Sequence, residues 1–268
     1  MYVFILNYGR DIKIMSEIKP IGLQLYSVRE ALAEDFEGTI RQVAEMGYIG
    51  VEPYGGLPTD LNAAAALFNE LGLQVLNSHV GVPEGDGKDA MLKIAEAFDL
   101  SRVAVAYLPP EKFETIDAIK RSCEQLNQAN EFAKSNNLAL GYHNHWWEFK
   151  ELDGQSTLEL VLSELEQDIF LEVDTYWVQA GGMDVLSALE IIGNRAPLIH
   201  VKDGSLDPQD SMLAVGDGKM PVPGIIDVTA STAEWYIVEL DRCETDMMQA
   251  VEKSYEYLTS NGFAKGNN

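Results

Sequence analysis

Tyr142-His143-Asn144-His145-Trp146-Trp147-Glu148 gathers two of the chain's four histidines, a carboxylate and two tryptophans at the end of an apolar segment. Folding alone has no need of that mixture. Imidazole titrates near neutral pH and serves as proton carrier or metal ligand, and a nearby carboxylate extends both roles. The other two histidines, His79 and His200, also fall at or near the ends of short apolar runs. Polar groups gathered at strand ends are what a parallel barrel produces, because the loops that follow its strands form the active face.

Side chains at alternate strand positions share one side of a sheet, so the polar residues sort by parity. Glu172 and Asp174 share a face, with Leu171, Val173 and Thr175 on the other. His200 and Lys202 share a face, as do Gly141, His143 and His145, with Glu148 just beyond. Glu239 stands between Val238 and Leu240, and Glu52 follows Val51. Carboxylates inside apolar runs are expensive to bury unpaired. Carboxylate, histidine and carboxylate on three successive strands form an oxygen and nitrogen ligand set for a divalent ion, with positions left for substrate oxygens. Manganese, cobalt, magnesium and zinc all suit it. Lys202 is the nearby cation, for a carboxylate or a substrate oxygen, and Glu172 reads as structural, paired with Lys202 or a neighbour. Trp146, Trp147 and Trp177 either cap the core or form an apolar wall against a sugar face. Asp203 reads as a local cap or pair.

The elements that must position these residues alternate short apolar runs with longer amphipathic ones, the pattern of repeated β-α units. Strands are expected at 21–26, 50–54, 74–80, 101–108, 138–144, 169–177, 198–203 and 235–240. Helices are expected at 36–46, 60–71, 90–98, 111–136, 157–165, 185–192 and 247–258, with a cramped one within about 225–233. Residues 204–224 carry Gly, Pro and Asp too densely for a regular element and read as a long loop on the strand-end side. Eight strands of this kind predict an α/β fold, a closed (β/α)8 barrel in one domain over residues 20–268.

Residues 1–19 form an N-terminal extension, and Met15 offers a second start, so no function falls on residues 1–14. The apolar stretch at the start is too short to span a bilayer and lacks a basic leader. The net charge of −24, from 43 acidic and 19 basic residues, repels phosphate backbones and anionic lipid, so neither nucleic acid nor membrane is expected as partner. Cys123 and Cys243 have no paired spacing, which points to a reducing cytoplasm. A homodimer remains open.

The chain resembles the xylose isomerase-like barrel proteins, the sugar phosphate isomerase/epimerase group with its inosose dehydratase and abasic-site endonuclease relatives. The likeness rests on Ile21-Gly22-Leu23-Gln24-Leu25-Tyr26-Ser27, Gly50-Val51-Glu52, Asn77-Ser78-His79, Tyr142-His143-Asn144-His145, Glu172-Val173-Asp174-Thr175-Tyr176-Trp177, Ile199-His200-Val201-Lys202-Asp203 and Val238-Glu239-Leu240. It implies a divalent metal at the barrel mouth held by Glu, Asp, His and Glu from strands five to eight. Asp174, His200 and Glu239 match. The fifth-strand glutamate falls on Gly141, and Glu148 is the expected donor instead, with His143 and His145 as alternatives.

The resemblance further implies proton abstraction next to a carbonyl, with a metal-stabilised enediolate. His143 or His145 would transfer the proton, and Lys202 and Glu148 belong to the same catalytic group. Glu52, His79, Trp147 and Trp177 would bind the substrate, a keto-sugar, sugar phosphate or cyclitol. The alternative chemistry is dehydration or β-elimination, as in inosose dehydratase or a 3-keto-glycoside lyase. A non-catalytic sugar-binding barrel is a third reading. An abasic-site endonuclease needs more histidines and less negative charge than this chain has.

Overall fold

The computed structural model describes residues 17–267, and residues 1–16 of the expected N-terminal extension lie outside them. Eight parallel strands form the barrel: β1 (Ile21–Gln24), β2 (Gly50–Glu52), β3, β4 (Arg102–Val105), β5 (Ala139–His143), β6 (Phe170–Asp174), β7 (Leu198–Val201) and β8 (Trp235–Val238). Strand β3 comes in two pieces. Gln74–Val75 pairs with β2 and His79–Val80 pairs with β4, so the sheet closes into a ring through the broken strand. Backbone bonds bridge the break, from Leu76 N to Val51 O at 3.2 Å and from Ala104 N to Ser78 O at 3.0 Å. The interruption turns Asn77 and His79 into the barrel's polar interior.

The strands hold because their outward side chains are apolar and meet helices. Leu23, Val51, Val103, Leu140, Val173, Ile199 and Val238 are all fully buried in the main core, each worth roughly 1.5–3 kcal/mol on burial. Helix positions follow local chemistry. Asp35 caps Phe36–Met46 by accepting from Gly38 N, and Gly47, in the left-handed region at φ 104°, ends it. Asp60, Thr115, Asp184 and Asp246 cap Leu61–Glu70, Ile116–Ser135, Val185–Ile192 and Met247–Ser260 in the same way.

Inside the ring, the end nearer the strand starts is dry. Ile49, Leu76, Leu198, Trp235 and Ile237 form a separate apolar plug, with Phe170 packed against it. Glycines make the room: a Cβ on Gly22 would lie 2.5 Å from Leu76, one on Gly50 would lie 2.9 Å from Trp235, and one on Gly141 would strike the Phe170 ring.

Four expectations need correction. Strand six was expected to reach Trp177, but it stops at Asp174, whose carboxylate caps a short helix, Thr175–Ala180, by accepting from Trp177 N at 3.0 Å. The long fourth helix splits at Thr115 into a 3-10 turn, Pro110–Phe113, and Ile116–Ser135. The segment expected to be all loop after β7 pairs Asp203–Gly204 with Met212–Leu213 and then enters the helix Val222–Thr229. An unexpected hairpin joins Glu151–Leu152 to Gln155–Ser156. Asp153 and Gly154 both take positive φ there, 52° and 78°, the geometry of a two-residue Asp-Gly turn. Among the described residues no helix is long and apolar enough to cross a membrane.

Candidate metal and proton-transfer site at the barrel mouth

Above the apolar plug the inward positions become ionic. His143 on β5 pairs in register with Glu172 on β6, and His200 on β7 pairs with Asp174. The rings of His79, His143 and His200 converge, with centroids 4.7 Å apart for His79 and His143, 4.7 Å for His143 and His200, and 5.5 Å for His79 and His200. His143, Asp174, His200 and Glu239 each offer one ligand atom, all within 4.8 Å of one another, and all four residues are buried. His79, His143, Glu172 and His200 form an overlapping group.

From the fifth strand it is His143 that stands in the candidate cluster, and Glu148, the expected donor, is not brought into it. Glu148 caps the 3-10 turn Trp146–Phe149 by accepting from His145 N at 3.1 Å, and Tyr142 Oη donates to it at 2.6 Å. Tyr142 has the opposite parity to His143 on β5 and packs on the outer side of the barrel wall, so the Glu148 carboxylate sits there too, among Leu158, Val161, Leu171 and Ile192. Burial there pushes its carboxyl up to about 8. Gly141 lies opposite Phe170, one inward position below the mouth, and is not a ligand position either.

Charge in the mouth is arranged in two linked groups. Lys202 Nζ lies 2.8 Å from Asp174 Oδ2, 2.8 Å from Glu239 Oε2 and 2.6 Å from Asp241 Oδ2. Burial opposes its charge, but the three carboxylates hold the ammonium well above its usual range. It has no surface exposure, so it keeps carboxylates ionised and does not reach the cavity. Glu172 does not pair with Lys202 as expected: it takes His79 Nε2 at 2.5 Å and Asn77 Nδ2 at 2.9 Å. Glu52 is also completely enclosed, accepting from Gln24 Nε2 at 2.8 Å and Asn77 Nδ2 at 2.7 Å and meeting His200 Nε2 at 2.8 Å. It underpins His200 from below and does not line the cavity where a substrate would sit. Burial and the neighbouring Glu172 push it up to about 7.

A cavity of about 570 Å³ opens over this layer, lined by His79, His143, His145 and Glu239 among others. His145 stacks on Trp147 at 4.6 Å and 9° and meets Tyr107 edge-on at 5.2 Å. Burial, with His143 and Lys202 nearby, holds it well below the ordinary imidazole range, and its Nδ1 is buried without a hydrogen-bond partner. Burial likewise lowers His143 to about 3, so it presents the neutral imidazole that a metal needs. Asp174 Oδ2 is buried with the Lys202 ammonium as its partner at 2.8 Å. His200, enclosed by Glu172, Glu52 and Glu239, is held well above the ordinary imidazole range and would give up its proton to an ion, so one neutral imidazole, one exchangeable imidazolium and two carboxylates make up the set that fits a divalent cation. Trp147 donates Nε1 to Leu108 O at 3.2 Å and backs His145, and Trp177 lies under Lys202 at 5.4 Å from its ring. Neither tryptophan lines the cavity.

Sequence reasoning missed Tyr26, Tyr54 and Tyr107, which line the cavity, and Asp241. Each stands just past a strand end, and Asp241 has the inward parity of Glu239, so strand-end position was the available signal. Asn144 was missed as well. Its amide clamps the Asp174 backbone in both directions, at 3.0 and 3.1 Å, tying the end of β5 to the ligand on β6.

Residues 40–260 match the xylose isomerase-like TIM barrel family, and the chain belongs to it. Among solved structures it is similar to a sugar phosphate isomerase/epimerase from Parabacteroides distasonis ATCC 8503, at 26% identity over 97% of this chain and 100% of that one, with a TM-score of 0.80. A zinc-bound IOLI protein shares the fold at 15% identity, covering 91% of this chain and 98% of that one, with a TM-score of 0.68. An L-ribulose 3-epimerase does so at 18% identity, over 92% and 95%, with a TM-score of 0.67. No curated protein matches.

Proposed function

We propose that this protein is a divalent-metal-dependent isomerase or epimerase that moves a proton at the carbon beside a carbonyl in a sugar, sugar phosphate or cyclitol. The observation that carries the reading is the meeting of His143, Asp174, His200 and Glu239 at a cavity that His145 also lines. The relatives named as isomerase/epimerase and epimerase share the barrel, which supports the same reading.

His143, Asp174, His200 and Glu239 would hold the ion. When bound, it would supply Lewis-acid polarisation of the substrate carbonyl. Two imidazoles in place of an oxygen-rich set favour zinc, cobalt or manganese over magnesium, and the zinc in the IOLI relative agrees. His145 is the proton acceptor: it faces the cavity, and Trp147 and Tyr107 fix its ring. His79, held by Glu172, is placed to orient substrate oxygens. Lys202 maintains Asp174 and Glu239 as anions. Trp147 and Trp177 set the walls behind these groups, and the negative cavity and chain charge favour a small-molecule partner over nucleic acid.

The test is metal analysis of the purified protein, followed by a screen of keto-sugars and cyclitols for solvent deuterium entering carbon. Stoichiometric metal with metal-dependent exchange is expected, and His145→Gln should slow exchange by about 10²–10⁴-fold. Full exchange in metal-free protein would overturn the reading. A product lacking a substituent, in place of an epimer or isomer, would move the protein to the lyases while keeping the same proton acceptor.

A further inference from the structure

Resting on the sugar reading above, we infer that the substrate carries no phosphate: the site is built for an uncharged sugar or cyclitol. Barrels of this fold commonly seat phosphate on the loops after the seventh and eighth strands, using loop amides and a helix N-terminus. Here several of those donors are already occupied from within the chain.

In the loop after β7, Asp203 plays the anion. Its carboxylate accepts from the backbone N–H groups of Gly204 at 2.9 Å, Gly216 at 2.9 Å and Met220 at 3.0 Å. A Cβ at Gly218 would strike the same carboxylate, so the loop is folded tightly around it. The helix that follows, Val222–Thr229, offers little more: Val222 N–H is bonded to Met220 O at 2.8 Å, and Pro223 has no N–H. After β8, the N-terminus of Met247–Ser260 is closed by Asp246, which accepts from Gln249 N at 2.9 Å.

The side-chain cations around the mouth are engaged within the chain, and Lys219 of the loop after β7 donates to Ser205 O at 3.2 Å. The cavity lining holds two carboxylates, Glu239 and Asp241, and neither lysine nor arginine among the described residues. Lys202 beneath it is shared by three carboxylates. Arg29 donates to Tyr26 O at 2.8 Å and Asp241 O at 2.9 Å, and Arg242 donates to Asp210 O at 3.0 Å and to Pro208 O. Both arginines line a neighbouring cavity of about 440 Å³, but Glu30, Glu34 and Asp246 line it as well. A phosphate dianion entering this cavity would meet two carboxylates and lose its water with neither lysine nor arginine among the lining residues to compensate. The cavity's aromatic walls include Tyr26, Tyr54 and Tyr107, with Tyr26 and Tyr54 edge-to-face at 5.5 Å. Aromatic faces of that kind suit the apolar side of an uncharged ring.

Two measurements on the metal-loaded full chain test this. Neutral keto-sugars and cyclitol ketones are compared with their own monophosphates in the deuterium exchange assay, and inorganic phosphate is titrated into wild type and Asp203→Ala by calorimetry. Expected are exchange of a neutral member at least about tenfold more efficient than its phosphate, no phosphate binding to wild type, and new phosphate binding in Asp203→Ala, where three amides are released. Equal or better turnover of a phosphate ester, or wild-type phosphate binding that the neutral substrate displaces, overturns the inference and leaves the sugar reading intact. Exchange with no pair at all overturns both. If Asp203→Ala does not fold, the wild-type comparison decides alone.

Discussion

The barrel has two interiors. Its lower half is filled by Leu76, Leu198, Trp235, Ile237 and Phe170, and glycines on three strands admit the large rings. Its upper half, on the next inward positions of the same strands, buries Glu52, Glu172, Asp174, Glu239, His143, His200 and Lys202 with hardly any exposure. The two halves differ in what their side chains contribute. The plug gains free energy directly from apolar burial and tight packing. Removing buried charges from water costs several kcal/mol apiece, and pairing them recovers that only in part. The mouth is therefore a functional load carried by the plug and by the outer shell of helices.

Substitutions should separate the halves, and the largest effect is expected below. Trp235→Ala opens a cavity in the plug and should cost about 3–5 kcal/mol of unfolding free energy, measured by denaturant titration, with metal content per folded chain retained. Asp174→Asn should do the reverse. Asparagine caps the helix at Thr175 as well as aspartate does, and Lys202 keeps Glu239 and Asp241 as partners, so stability should fall far less than for Trp235→Ala. Deuterium exchange should drop by roughly 10²–10³-fold. Should Asp174→Asn unfold the protein while leaving exchange per folded molecule intact, the division between the halves fails. Gly141→Ala is a milder probe of the plug: its Cβ has to displace the Phe170 ring, at a cost of about 1–3 kcal/mol, read from the same denaturant curves.

Much of this was legible before any coordinates. Period-two alternation put Glu172 and Asp174, His200 and Lys202, and His143 on inward faces, and those residues do meet. The helices expected at 36–46, with Gly47 as its stop, and at 185–192 form with those bounds. What escaped depends on contacts distant in sequence. No local signal says that Glu172 would find His79 across the barrel in place of Lys202, nor that strand three would break at Asn77 and thereby close the ring. The position of Glu148 outside the cluster has a more specific origin. Counting along Tyr142 to Glu148 treats the stretch as one strand, whereas the chain leaves β5 after His143 and turns through Trp146–Phe149, which carries Glu148 round to the outer side.

That turn supplies the smallest and sharpest test. With its folded carboxyl at about 8 and an ordinary value of 4.5, Glu148 keeps a proton in the folded chain that the unfolded chain has released over that interval. The unfolded state then binds fewer protons, so stability falls as pH rises from about 4.5 to about 8. Glu148→Gln preserves the size of the side chain, with its oxygen able to accept from His145 N and its amide N–H able to donate to Tyr142 Oη, and it removes the titration. Compared with wild type in chelator, its unfolding free energy should decline less over that interval, with most of the difference appearing towards pH 8, while Glu52, raised to about 7, contributes equally to both proteins. Metal stoichiometry should be unchanged in Glu148→Gln and lost in His143→Ala. A carboxylate that ligated the ion would behave oppositely on both counts: its removal would empty the site, and metal in the wild type would hold it deprotonated, giving stability that rises with pH.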